Sequence, residues 1–149
     1  MRCANTSTNS PFDRGSAAVE FVTLATLLLV PLVYLIIALG SIQAGALASE
    51  GAARQAARVW ALQSPELRDA AAARAVAQAL NDFGFTPEHS TWHVDCPEPC
   101  APGRGIVTVR VEVSVPLPLV PPVLDLQQRA TVQVAGAAAQ PLSRFGNAR

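Results

Sequence analysis

From Phe21 to Ser49 the chain carries no charged side chain, and acids close the run at both ends, Glu20 before it and Glu50 after it. A helix so uniformly apolar must be buried on every side, either in a large protein core or in lipid. At this length of run, a buried core helix of a soluble protein is the weaker reading. A bilayer's hydrocarbon core is about 30 Å thick and is crossed by roughly 20 apolar residues in a helix. Phe21–Leu39 meets that requirement, with Leu27, Leu28, Leu29, Val30, Leu32, Val33, Leu35, Ile36 and Ile37 at its centre. Pro31 lies inside the run, where a membrane helix tolerates it better than a soluble one does. The run therefore predicts a membrane span over about 21–40.

The remaining composition narrows the function classes. Only 15% of residues are charged, against about 25% in ordinary soluble domains. Formal net charge is zero and all basic residues are arginines, so no basic field argues for nucleic acid. Arg2 and Arg14 precede the span while Arg54 and Arg58 follow it. Arginine counts thus leave orientation open.

Glu20 stands at the entrance of the apolar run, in Arg14-Gly15-Ser16-Ala17-Ala18-Val19-Glu20-Phe21. A carboxylate entering the bilayer costs a few kcal/mol on insertion scales; an interfacial position just above the headgroups is the plain alternative. Cleavage after Gly15 would make Ser16 a new amino terminus. Its amine would carry a positive charge near neutral pH, and Glu20 would lie one helical turn on, on the same face. A negative charge in a helix's first turn is also favourable.

This start resembles that of type IV prepilins: a polar leader ending in glycine, a small residue, Glu at the fifth position after the cut, then a long apolar helix. More closely, the chain resembles the TadE-like proteins of Tad (Flp-type, tight-adherence) pilus assembly systems. The resemblance rests on Arg14–Phe21 and on the later Ser49-Glu50-Gly51-Ala52-Ala53-Arg54-Gln55-Ala56-Ala57-Arg58. Asp13 beside Arg14 departs from a purely basic flank. The resemblance implies cleavage between Gly15 and Ser16 by a prepilin peptidase, with Glu20 and Phe21 in the processing and assembly segment. It implies a minor pilin, pseudopilin or assembly component whose partners are the membrane, other pilins or pseudopilins, and pilus assembly proteins. It also implies a single pass through the cytoplasmic membrane, amino terminus inside and C-terminal domain outside, with incorporation into a surface pilus as one outcome. A different class of reading is a signal-anchored envelope protein with a small partner-binding domain. A third is a secreted protein cut after Ala46-Leu47-Ala48, but the apolar run exceeds the usual 7–15 residues of a signal peptide.

Helical pattern continues to about Leu62. Glu50 and Arg54 stand in the favourable i,i+4 order, and Gly40, Ala44, Ala48, Ala52 and Ala56 recur every four residues, a small-residue stripe suited to close approach of another helix; alanine-rich composition alone is the bland account of it. A helix over 16–62 would be about 70 Å long. Ser64 as N-cap and Pro65 in the first turn then predict a second helix, with Leu67, Ala70, Ala73, Val76, Ala77, Leu80 and Phe83 as its apolar face and Gly84 as its stop.

Ile106–Val115 has the clearest strand pattern, five alternating valines from Val107 to Val115. Thr91–Asp95 and Ala130–Val134 are candidate strands beside it, Pro116–Pro122 reads as an extended connector or an exposed apolar loop, and the chain from Ala135 is expected to be a loose tail. The predicted fold is α+β: a long N-terminal transmembrane helix continuing into an extracytoplasmic helix, a second helix, then a small antiparallel sheet, as in pilins. The corresponding segments are leader 1–15, spine 16–63, extracytoplasmic domain 64–136 and tail 137–149.

Cys96 and Cys100 flank Pro97-Glu98-Pro99 and outside the cytoplasm would close as a disulfide, with free thiols as the other outcome. With His89 and His93 they could also be drawn as a zinc set, which the short spacing and an oxidising compartment disfavour. Cys3 precedes the apolar run, against a lipoprotein. No phosphate loop and no nucleophile–base constellation is present. The chain is expected not to be an enzyme, and no cofactor, metal or small-molecule substrate is expected.

Overall fold

The computed structural model describes residues 13–98, 100, 101, 103–118 and 130–142. Among them the order is helix α1 (Asp13–Leu62), helix α2 (Arg68–Asp82), a 3-10 turn (Pro87–His89), and strands β1 (Ser90–Asp95), β2 (Ile106–Pro116) and β3 (Thr131–Pro141). This is the α+β arrangement expected from the sequence. The chain divides into two compact units, Met1–Ile36 and Ile37–Arg149.

Of the first unit, the structure describes one stretch of helix. Its large apolar side chains stand exposed, Phe21 and Leu28 at 71% each. Pro31 is accommodated inside the helix. Within the apolar run, Thr23 Oγ1 donates to the Val19 carbonyl (2.7 Å) and Thr26 Oγ1 to that of Val22 (2.8 Å). These local bonds satisfy the hydroxyls without an outside partner.

The second unit is a three-stranded antiparallel sheet in the order β1-β2-β3, with helices on one face. Strand β2 is central. Its odd-numbered residues Val107 to Val115 are at most 1% exposed, and Thr108, Arg110, Glu112 and Ser114 alternate with them. The register pairs Trp92 with Val111 and His93 with Arg110 on one side, and Val111 with Gly136 on the other. Ala48, Ala52, Ala53, Ala56, Ala57 and Trp60 of α1 meet Ala72, Val76, Ala79 and Leu80 of α2 and the five valines in one core.

Glycine sets how closely α1 lies on the sheet. A Cβ on Gly136 would collide with the backbone of Ser49 and Glu50, coming within 2.6 Å of Glu50 Cα. One on Gly45 would meet side-chain methyls of Val115 and, at 3.1 Å, of Val134. Further along, Arg58, Ala61 and Leu62 share a groove with Gln140, Pro141 and Leu142. From Gly45 to Leu62, α1 thus tracks β3 in the same direction.

The structure corrects several boundaries. Strand β3 does not stop at Val134; it stays paired with β2 through Pro141, so residues 135–141 are sheet and not tail. Residues 143–149 lie outside the described residues, as do Cys3 and Leu119–Pro122 of the proposed connector. Ser64 does not cap α2. Pro65–Leu67 form a turn, with the Leu67 N–H donating to the Ser64 carbonyl at 3.0 Å, and the helix begins at Arg68 with Leu67 as N-cap. Its buried stripe is Arg68, Ala72, Val76, Ala79 and Leu80, while Leu67 and Phe83 are exposed. In a helix with this many alanines, periodicity alone could not orient the face. The stop at Gly84 stands: its φ is +79°, its N–H donates to the Asn81 carbonyl, and Phe85 N–H donates to that of Leu80. Together these bonds form a Schellman ending.

Candidate functional site

Gly15, Ser16, Glu20 and Phe21 all lie on the backbone of α1. Ser16 and Glu20 are therefore one helical turn apart, as the sequence spacing requires. Glu20 and Phe21 are exposed. The apolar surface that begins at Phe21 continues through Leu39 (52% exposed). Among the described residues, one helix is long and apolar enough to cross a membrane, and it lies near the N-terminus. Local chemistry fits such a helix. The Thr23 and Thr26 hydroxyls bond back one turn, and Pro31 borders a shallow groove formed with Val22, Thr23, Thr26, Leu27 and Val30.

The small-residue stripe divides in two. Gly40 is exposed and has nothing near its Cβ position, and Ala44 is half-buried. Ala48, Ala52 and Ala56 are completely buried. The sequence reads these three as part of a surface for close helix or subunit contact, and the structure buries them in a core shared with α2 and the sheet. The physical reason is the sheet: alanine is short enough for α1 to settle onto β2 and β3, which the helical repeat alone does not reveal.

Cys96 and Cys100 are joined as a disulfide with their Cα atoms 5.6 Å apart. The bridge lies in the connection between β1 and β2, and both residues pack against the core. The sulfurs are thereby committed to each other, which takes two ligands from the His89-His93-Cys96-Cys100 set. His93 is exposed on β1, facing away from the core, and His89 is exposed in the 3-10 turn.

Two features were not read from the sequence. One is the α1–β3 contact at Gly136, for which the only signal is a glycine inside an alanine run. The other is the corner between α1 and α2. There the Trp60 indole N–H donates to Asp69 Oδ1 (3.0 Å), Arg68 lies over the Trp60 ring at 4.5 Å, and Arg68 Nε donates to the Gln63 carbonyl (3.1 Å). Arg68 is only 9% exposed; its stem packs while the ring face and a carbonyl take its charge.

No protein-family model, no curated protein and no solved structure matches this chain.

Proposed function

We propose that the chain is a membrane-anchored subunit of an envelope assembly, of the TadE-like minor pilin or pseudopilin kind, with no catalytic role. The observation that carries this reading is Glu20 at the mouth of the exposed apolar helix, one turn after the Gly15–Ser16 bond. An acid in that position costs membrane insertion energy unless something offsets it. A new amine at Ser16, on this chain or on a neighbour, is the partner that the spacing supplies. The apolar surface from Phe21 to Leu39 supports the anchor, since water does not tolerate so much continuous apolar area. The disulfide supports placing the C-terminal unit in an oxidising compartment, hence amino terminus inside and sheet outside. The partners on this reading are a prepilin peptidase, other pilins or pseudopilins and pilus assembly proteins.

The test is the mass and N-terminal sequence of the protein extracted from its own membranes without reductant. A start at Ser16 is expected. A start at Ser49 would mean a secreted protein, and a start at Met1 would favour a simple anchor. Glu20→Ala separates the classes further. It should reduce co-purification with the assembly about tenfold, an effect of ~1.4 kcal/mol. In a simple anchor it would leave partner binding unchanged and ease insertion.

A further inference from the structure

The buried face of α1 continues beyond the core. Ala52, Ser49, Ala48 and Gly45 are buried on one face of the helix. At helical spacing that face goes on through Ile42 and Ser41, both half-buried, and ends at Ala38, which is 8% exposed. On either side of Ala38, Ile37 and Leu39 stand at 45% and 52%. These three residues close the apolar run, and they belong to the second compact unit. The chain thus covers one side of α1 down to the last turn of the expected span and leaves the other sides bare.

The end of the sheet reaches the same level. Helix α1 and β3 run in the same direction and β2 runs against them, so β2 heads toward Ala38 as it ends. Gly45 marks the height of Val115, Val134 and Phe85, whose Cζ lies 3.6 Å from the glycine's Cβ position. Two residues of strand carry β2 about 7 Å past Val115 to Leu117. Five residues of helix lead about 7.5 Å back from Gly45 to Gly40. Leu117 is still tied to the sheet, its N–H donating to the Ala130 carbonyl at 2.9 Å. It therefore lies about level with Gly40. Pro116, Leu117 and Pro118 carry no charge. The opposite end of the sheet exposes Arg104, in a turn where the Gly103 N–H donates to the Leu142 carbonyl at 3.0 Å.

We propose that this end of the second unit, Pro116–Pro118 together with Phe85, rests in the headgroup layer of the bilayer as a second contact with lipid beside the span. This rests on the membrane-anchor part of the function proposed above and needs nothing of its pilin part. The headgroup layer adds about 5–8 Å outside the hydrocarbon on each side. With the hydrocarbon ending at Leu39 or Gly40, a sheet end level with Gly40 cannot stand clear of that layer. Lipid is the occupant because α1 itself carries the sheet end to this depth. The chemistry agrees. Uncharged side chains lose least on leaving water, and the half-buried Leu117 and Phe85 gain by further burial. Exposed Asp82 and Glu88 flank Phe85 in the chain, which keeps the contact among headgroups and out of the hydrocarbon.

The experiment is tryptophan fluorescence of the full chain, disulfide intact, in phosphatidylcholine vesicles. The lipids carry bromine on acyl carbons near the headgroup or, in a second set, near the chain ends. Bromine quenches only at close range, and the unchanged chain sets the background of Trp60 and Trp92. Leu117→Trp should lose its added emission to bromine near the headgroup, and Leu62→Trp, at the far end of α1, should keep it. Pro116→Trp, at an exposed position, repeats the reading should Leu117→Trp loosen the strand end. Leu28→Trp, inside the span, reports on the anchor alone through bromine near the chain ends. Quenching at Leu28→Trp with none at Leu117→Trp or Pro116→Trp overturns the proposal and leaves the anchor standing, since the sheet end is then in water or under protein. No quenching at any position removes the anchor and this proposal with it. Quenching at Leu62→Trp as strong as at Leu117→Trp also overturns it, because the unit then lies along the bilayer and does not meet it end-on.

Discussion

Gly136 and Gly51 make opposite predictions from the same substitution. At Gly136 an added methyl meets backbone atoms of Ser49 and Glu50, and backbone cannot rotate aside. Either α1 lifts from β3 or the strand bows, and Gly136→Ala should cost about 1–3 kcal/mol, the usual range for overpacking. Gly51 lies in the same helix two residues beyond Ser49, yet nothing stands within 4 Å of its Cβ position. There alanine only restricts the unfolded chain and improves helix propensity, so Gly51→Ala should stabilise by about 0.5–1 kcal/mol. Urea unfolding of the two variants in one detergent, followed by circular dichroism, compares them directly. If Gly136→Ala cost no stability, the tight seat of α1 on β3 would be wrong. Leu80, fully buried between α2 and the sheet, sets the scale for an ordinary core residue: Leu80→Ala should cost about 2–5 kcal/mol.

Among the elements, the β1–β2 connection is the one tied covalently. Closing a five-residue loop by Cys96–Cys100 should contribute about 2 kcal/mol on the chain-entropy account. The double change Cys96→Ser with Cys100→Ser should lower the unfolding midpoint accordingly, with amides of β1 losing protection before those of β3. Equal loss in both strands would show that the bridge stabilises the unit as a whole and not its own edge. How legible each element was depended on contrast between neighbouring side chains. Val107–Val115 alternates valine with polar residues, so β2 and its buried face could be read residue by residue. In β3 the same alternation ends at Val134, because Ala135–Ala139 offers neither polarity contrast nor strand propensity. Those residues are strand because β2 is long and pairs with them from Glu112–Ala135 to Thr108–Ala139. In α2 the start was misplaced for a related reason. Ser64 and Pro65 carry the composition of a helix start, but the buried Arg68 and its contacts with Trp60 and Gln63 depend on tertiary placement. The candidate site divides similarly. Glu20 and the cysteine pair were visible as chemistry out of place, while the burial of Ala48, Ala52 and Ala56 depended on a sheet formed more than thirty residues later in the chain.

For the whole molecule, the proposed anchor turns on the free energy of placing the apolar part of α1 in lipid. The side chains from Phe21 to Leu39 contribute favourably at a few tenths of a kcal/mol for each Leu, Ile, Phe or Val near the centre. Leu28 is 71% exposed and lies within the expected span, so Leu28→Arg tests that environment and little else. At mid-span an arginine costs about 2.5–3.5 kcal/mol on insertion scales, enough to move a substantial fraction of the protein out of the carbonate-resistant membrane pellet. Leu62 is the control. It is also an exposed leucine of α1, at 49%, but lies well beyond the charged pair Glu50–Arg54, where an arginine meets water. Leu62→Arg should leave the membrane fraction unchanged. Fractionation of cells expressing the two full-length variants decides the matter. Loss for Leu28→Arg alone places the anchor in the Phe21–Leu39 stretch. Retention of both would mean that lipid is not what covers this helix, and Glu20 would then need a protein partner as its explanation and not a bilayer.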